Sequence, residues 1–465
     1  MDLEKIFKPR AVVVVGVSHS NPFNPSNIIF KKFCYEYKVK TFAINPKGGL
    51  IEGCRVYRNL DELSGEIIDL AIIAVRATLV PSVLETCATF GIKGAIIISA
   101  GFGETESEEG QKLQDQIVMI AKKYDLAVIG PNCIGVYHPP FIDTFFLPSE
   151  RISAPKPGNV AVISQSGAWL VDQIIEKFSI NNIGISAAIS IGNKAVTTEL
   201  DLLEYFKNDP KTKSIFFYLE GFREFEGRYF VKKAQECAML KPVVVFKGGQ
   251  SEAGRRATLS HTSSLAGSQV VTSAIFKQFK IVEARTEQEL IAFAKAFSSL
   301  HFPIREGRVL ILSVSGGHGV VTTDVCNRYG FQVPLMSEEH QANIRELMTK
   351  EYRSLIALQN PIDLTASAQD HDFEQILDYV LDLPEFDAVI LCLLPYTVGI
   401  SFQIGARLAV TIKKHQKTVV AYFPRLERYE VIIRGFELNN IPVADSIEEA
   451  VQILYGIRLR TGFLD

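Results

Sequence analysis

The chain has 465 residues, enough for about three domains at roughly 150 residues each. Hydrophobic residues make up 47% and charged residues 22%, the balance of a globular chain and not of a disordered one. Lys plus Arg total 49 against 52 Asp plus Glu, so a net charge of −3 leaves no basic footprint for nucleic acid and no polybasic membrane signal. The opening MDLEKIFKPR holds no signal-peptide hydrophobic region. After it, Val/Ile-rich runs alternate with stretches of helical period, as in strands feeding crossover helices of parallel sheets. The first set of runs is 11–15, 40–44, 70–75, 95–98 and 127–129; the second is 160–163, 184–189, 214–219 and 243–246. The third is 308–314, 387–394 and 418–423, with a weaker run near Ile441. Lacking polar alternation, these runs predict strands covered on both faces. Amphipathic spacing predicts helices over 107–124, 225–239, 287–299 and 447–460.

Pro/Gly-rich punctuation at 154–158 and 301–307 marks the boundaries. The expectation is an α/β protein with domains at 1–153, 154–302 and 303–465. The longest apolar stretch, 388–402, is interrupted by Pro395, Thr397 and Ser401 and is too short to span a bilayer. Seven cysteines (34, 54, 87, 133, 237, 326 and 392) are scattered without a C-x-x-C pair. That argues against a zinc site or a disulfide framework and for a reducing cytoplasm.

Each domain opens on one theme: a hydrophobic strand, a turn of small residues, then a helix, in VVVVG-VSHSN, VAVIS-QSGAW and VLILS-VSGGHG. Such turns lie at the carboxyl edge of a parallel sheet and present free N–H groups to ligands. They do not spell a dinucleotide site. The three glycine places of G-x-G-x-x-G are Gly16, Ser18 and Asn21, and Asn45 stands where a ribose-binding acid is expected. No Walker A sequence and no G-x-S-x-G elbow is present.

The connection 247–267, KGGQSEAGRRATLSHTSSLAG, is long for a link between core elements and places His261 among small residues. Its SHTSSLAG core resembles the phosphohistidine loop of the NDP-forming acyl-CoA synthetases, the superfamily of succinyl-CoA synthetase. Further stretches resemble the same family in the same order: PKGG (46–49), SAGFGE (99–104), GPNCIG (130–135), SQSGA (164–168), SIGNKA (190–195), YLEG (218–221) and NPIDLT (360–365). The likeness runs through essentially the whole chain. It implies a Rossmann-like CoA-binding domain followed by two flavodoxin-like ligase domains. It also implies that this chain is the α subunit of an ADP-forming enzyme, paired in an α2β2 heterotetramer with a separate β chain of ATP-grasp fold.

The implied reaction is acyl-CoA, phosphate and ADP giving acid, CoA and ATP. The resemblance makes His261 the phosphoryl carrier and Glu220 its acidic partner. Neutral imidazole suits that task, with an ordinary pKa near 6.5. Phosphate donors are expected at the helix starts Ser166-Gly167-Ala168 and Gly316-Gly317, which predicts a phosphohistidine site at the junction of the second and third domains. His318 either contacts phosphate or is an exposed turn residue. CoA is assigned to Gly16, Val17, Ser18, Lys47, Ser99 and Ala100, with Asn132 at the thioester or carboxylate end. Cys133 reads as a small buried residue. No metal ligands are assigned; ADP or ATP with Mg2+ falls mainly to the partner chain.

The sequence departs from the family pattern in three places. The first loop contains Pro22 and Pro25 in place of glycines, Arg76 stands where proline is common, and Ser263 replaces a glycine. Arg76 either meets a CoA phosphate or caps a surface. These departures define an alternative, a CoA-binding regulatory module with little turnover; an NAD-linked oxidoreductase is the remote one.

Overall fold

The Val/Ile-rich runs fold as strands buried on both faces. In the computed structural model, which describes residues 1–256 and 268–465, the first sheet holds β1 (Ala11–Val15), β2 (Lys40–Ile44), β3 (Gly49–Ile51), β4 (Cys54–Tyr57), β5 (Leu70–Ile73), β6 (Gly94–Ile97) and β7 (Ala127–Ile129). Its order is β3-β4-β2-β1-β5-β6-β7, with β3 antiparallel to β4. The second sheet holds β8 (Val136–His138), β9 (Ile142–Asp143), β10 (Pro157–Ser164), β11 (Ile185–Ser190), β12 (Ser214–Leu219), β13 (Val243–Lys247) and β14 (Val282–Ala284), ordered β14-β13-β12-β10-β11-β8-β9. The third holds β15 (Val309–Ser313), β16 (Ile362–Asp363), β17 (Ala388–Cys392), β18 (Thr418–Tyr422) and β19 (Val443–Ala444), ordered β16-β15-β17-β18-β19 and parallel throughout. His261 and Ser263 lie outside the described residues.

One consequence of these orders is shared. In each sheet the first long parallel strand sits inside, with its successor on one side and a later strand on the other. The carboxyl ends of β1, β10 and β15 are therefore the points where strand order reverses, and crevices form there. Those ends carry the three small-residue turns.

Two compact units result, Met1–Glu283 and Ala284–Asp465. In the first unit, one apolar cluster runs from Ile6 and Phe7 through Val12 and Val14 to Ile163 and Phe217, so both sheets share a core. Phe7 stacks on Tyr205 at 4.7 Å and meets Phe206 edge-on at 5.3 Å. Burying a phenylalanine of this kind contributes about 2 kcal/mol or more. Helices begin on polar caps: the Ser107 hydroxyl accepts the Gly110 N–H at 3.0 Å ahead of Glu108–Tyr124, and Thr198 with Asp201 forms a reciprocal cap ahead of Glu199–Asn208.

Core packing and Pro/Gly punctuation divide the chain at different places. β8 and β9 join the second sheet although they precede the turn at 154–158. The helix Glu287–Ser298 lies in the second unit against the C-terminal helix Ile447–Leu464 although it precedes the turn at 301–307. A side chain on Gly456 would lie 2.6 Å from Phe293 Cδ1, so that pairing is close. Among the described residues, no helix is long and apolar enough to cross a membrane.

Candidate active site

Gly16 turns the chain after β1 with φ +109°, and a Cβ there would lie 2.4 Å from the Ala74 carbonyl oxygen. Only glycine fits. Val17 is buried and its carbonyl accepts the Asn45 amide at 2.6 Å. Asn27 grips Ser18 twice, accepting from its N–H and donating to its carbonyl, both at 2.7 Å. The Ser18 hydroxyl accepts the Asn21 N–H at 3.1 Å. These bonds do the shaping that extra glycines would otherwise do. The helix starts late, at Pro25, where Asn24 Oδ1 accepts the Ser26 N–H at 2.9 Å; a proline at that position costs no helical bond. Lys47 is exposed, its backbone fixed by an N–H donated to Asn45 Oδ1 at 2.9 Å. Arg76 is exposed at the head of the short turn Ala77–Leu79.

Three loops that are distant in sequence form one braced cluster. The Ser99 hydroxyl donates to the Val75 carbonyl at 2.6 Å, and the Ser99 carbonyl accepts the Asn132 N–H at 2.9 Å. Ala100 is exposed beside it. Asn132 has φ +57° and its amide donates to Asn193 Oδ1 at 3.2 Å. Asn193 in turn donates to Glu104 and, at 3.0 Å, to Gln114. Burial pushes the Glu104 carboxyl up, but N–H donors from Gly101, Asn193 and Phe102 outweigh it and hold the group below the usual range. Gly192 completes the brace, for a Cβ there would lie 2.3 Å from the Pro131 carbonyl oxygen.

Glu220 is buried directly after β12. Gln165, the residue after β10, clamps its backbone: Oε1 accepts the N–H groups of Glu220 and, at 3.1 Å, Gly221, while Nε2 donates to the Gly221 carbonyl at 2.7 Å. The Tyr218 hydroxyl donates to Glu220 Oε1 at 3.2 Å. Lys247, the last residue of β13, is also buried; Nζ donates to the carbonyls of Glu220 at 2.6 Å and Gly248 at 2.7 Å. Burial pushes its ammonium down to about 8, with Glu220 opposing. Trp169 stacks on Tyr218 at 4.3 Å and on Phe246 at 5.4 Å, forming an aromatic wall beside the carboxylate. Nearby, Ser164 Oγ donates to the Ser166 carbonyl at 2.7 Å and accepts the Ser166 N–H at 3.1 Å, and the helix begins at Gly167 with Ala168 exposed.

The second unit builds that turn again. Ser313 Oγ donates to the Ser315 carbonyl at 3.0 Å and accepts its N–H at 3.1 Å, and the helix Gly316–Arg328 follows. Gly316 and Gly317 are exposed, and a Cβ on Gly316 would lie 3.2 Å from Asp363 Oδ2. Asn360, at φ +70°, places Asp363: its Oδ1 accepts the Ile311 N–H at 3.0 Å and its amide donates to the carbonyls of Val309 and Pro334. The His318 ring lies 5.8 Å from that of Tyr422.

Residues 10–139 match the CoA binding domain family, and residues 157–297 match the succinyl-CoA ligase like flavodoxin domain family. The chain is 35% identical to the α subunit of ADP-forming acetate–CoA ligase II of Pyrococcus furiosus, over 98% of this chain and 97% of that one. It is 38% identical to the α subunit of ADP-forming acetate–CoA ligase I of the same organism, over 98% and 96%. A solved structure of the dinucleotide forming acetyl-coenzyme A synthetase 1 of Ca. Korarchaeum cryptofilum, in complex with phosphate and ADP, superposes with a TM-score of 0.87 at 30% identity, over 100% of this chain and 98% of that one. The chain belongs to the family of ADP-forming acyl-CoA synthetases.

A NAD-linked oxidoreductase is thereby set aside. Of the synthetase residues picked from sequence, Ser99, Ala100 and Asn132 fall in the braced loop cluster, while Gly16, Val17 and Ser18 share the β1 turn with nearby Lys47. Ser166, Gly167 and Ala168 follow β10, one strand away from Glu220. Gly316 and Gly317 belong to the other unit. Sequence reading missed Gln165, Lys247, Asn193 and Glu104, although each lies within or beside a motif it quoted.

Proposed function

We propose that this chain is the α subunit of an ADP-forming acyl-CoA synthetase that interconverts acyl-CoA, phosphate and ADP with acid, CoA and ATP. The observation that carries this reading is the buried Glu220, held by Gln165 and Lys247 at the root of the segment bearing His261. A carboxylate so fixed orients one imidazole nitrogen and leaves the other to attack.

Phosphate first displaces CoA from the acyl carbon, forming the acyl phosphate. The His261 nitrogen then takes the phosphoryl group as the P–O bond to the acyl oxygen breaks and the carboxylate leaves. Phosphoryl oxygens need preorganised donors; in the first unit the helix start at Ser166-Gly167-Ala168 offers backbone N–H groups of that kind, and in the second unit the start at Gly316-Gly317 does the same. CoA is held by the Gly16-Val17-Ser18 turn, by Lys47 as a point charge for its phosphates, and by Ser99 and Ala100, with Asn132 toward the reacting end. The partner is a β chain of ATP-grasp fold in an α2β2 assembly, which holds ADP with Mg2+.

The test is incubation with acetyl-CoA, or another acyl-CoA, and labelled phosphate. An acid-labile, base-stable label should appear and be abolished by His261→Ala. Glu220→Gln should keep the fold and slow labelling by about 10²-fold or more. CoA binding without label in the wild-type protein would favour a regulatory module, and unchanged kinetics in Glu220→Gln would reject its role.

A further inference from the structure

Five of the seven cysteines are buried, whereas Cys34 and Cys54 are half-exposed. Their sulfurs lie 3.3 Å apart, against a disulfide bond length of about 2.0 Å. Cys34 is in the last turn of the helix Pro25–Tyr35 and Cys54 opens β4. The same two segments meet beside the sulfurs, where the Tyr35 hydroxyl donates to the Glu52 carbonyl at 3.2 Å and carboxylate at 3.3 Å. A side-chain bond thus already links the two segments beside the sulfurs, and the sulfurs themselves are in contact.

We propose that Cys34 and Cys54 form a redox-active dithiol, a modification site that a peroxide converts to a disulfide. This does not rest on the synthetase reading, which uses neither residue. Burial and the adjacent Cys54 sulfur push the Cys34 thiol up to about 12; the contact lets either sulfur of the pair attack the peroxide first. The attacking sulfur, as its thiolate, forms an S–O bond as the peroxide O–O bond breaks, and the leaving hydroxide takes a proton to become water. The other sulfur then attacks that sulfenic acid: the S–S bond forms, the S–O bond breaks, and a second water leaves. Two thiols lose two electrons in all, and one peroxide becomes two waters.

The crosslink falls on the supports of the first loop. The helix bearing Cys34 holds Ser18 through Asn27. The strand pair bearing Cys54 follows Gly48, whose carbonyl lies 2.7 Å from His19 Nε2. Oxidation ties these two supports together at their other ends. Cys87, Cys133, Cys326 and Cys392, each pushed up to about 12 by burial, stay out of the reaction.

Intact-mass measurement and thiol alkylation under denaturing conditions, after hydrogen peroxide treatment of the full chain at pH 8, test the proposal. The expected result is a loss of about 2 Da and of two alkylatable thiols, reversed by dithiothreitol, with a peptide map joining residues 34 and 54. Cys34→Ser and Cys54→Ser should each abolish the 2 Da loss, and a dimedone-type probe should capture a sulfenic acid on the remaining cysteine of at least one of the two variants. Seven alkylatable thiols after peroxide, a disulfide joining other cysteines, or a 2 Da loss that survives Cys34→Ser would each overturn it.

Discussion

Lys247 concentrates the residue-scale physics of the site. Two carbonyls hold its ammonium in a buried place, and the ordinary value of 10.5 falls to about 8. Below pH 8 the folded and unfolded chains both carry the proton, and the cost of burying the charge is constant. Between pH 8 and 10.5 the unfolded chain binds a proton that the folded chain has released, so this site's contribution to stability rises with pH. Lys247→Met has no such term. Between pH 7 and 9.5 the unfolding free energy of wild type relative to Lys247→Met should improve by about 2 kcal/mol. Urea titrations of both proteins at the two pH values measure it, and a constant difference would show that the lysine is not desolvated. Gln165→Leu frees the Glu220 backbone without touching the carboxylate. It should slow phosphate labelling by about 10-fold or more while His261→Ala remains the complete loss. These two residues were not legible in sequence because the groups they hold lie far along the chain: Gln165 meets residues 55 and 56 places away, and Lys247 meets one 27 places away. SQSGA names Gln165, yet only strand order reveals that it reaches across to β12.

At the scale of elements, the legible features were those set by local pattern. Buried parallel strands need uninterrupted Val/Ile, and β1, β2, β12 and β18 lie where those runs predict them. The helices predicted at 107–124, 225–239 and 287–299 appear as Glu108–Tyr124, Glu226–Ala238 and Glu287–Ser298. The short strands β3, β4, β8, β9 and β16, at or next to the sheet edges, were not legible, because a strand of two to four residues is defined by its neighbour and not by its own composition. The brace between the loops at 130–135 and 190–195 belongs to the same class. It depends on Gly192, whose φ of +52° and lack of a Cβ let the Pro131 and Asn132 carbonyls approach to 2.3 and 2.4 Å of the missing atom. Gly192→Ala should therefore destabilise the first unit by about 2 kcal/mol or more and abolish labelling. Gly462→Ala is the contrast: it is exposed in the helix Ile447–Leu464 with nothing within 4 Å, and should stabilise by about 0.5 kcal/mol. Thermal unfolding of the two variants separates glycine as a packing requirement from glycine as mere entropy.

For the whole molecule, the division of labour between chains decides what this one does alone. In our reading the turn assigned to CoA, Glu220 and the root of the segment bearing His261 all belong to the first unit, so formation of a phosphoryl-histidine from acyl-CoA and phosphate would draw on residues of this chain. Transfer onward to ADP needs a nucleotide pocket, which our reading assigns to the ATP-grasp partner. The two Pyrococcus furiosus relatives are α subunits, which implies a partner subunit. Effective molarity makes the consequence large, since a nucleotide held in line with the phosphoryl group reacts far faster than one arriving from solution. Chain labelled with phosphate and then given ADP and Mg2+ should keep its label when alone. It should release the label as ATP, about 10²-fold faster or more, once the β chain is added. Size-exclusion chromatography of the mixture should place the label in the larger complex before ADP is added and in the small-molecule fraction afterwards. Rapid discharge to ADP by the isolated chain would mean that its own residues form the nucleotide site, and the two-chain reading would fail.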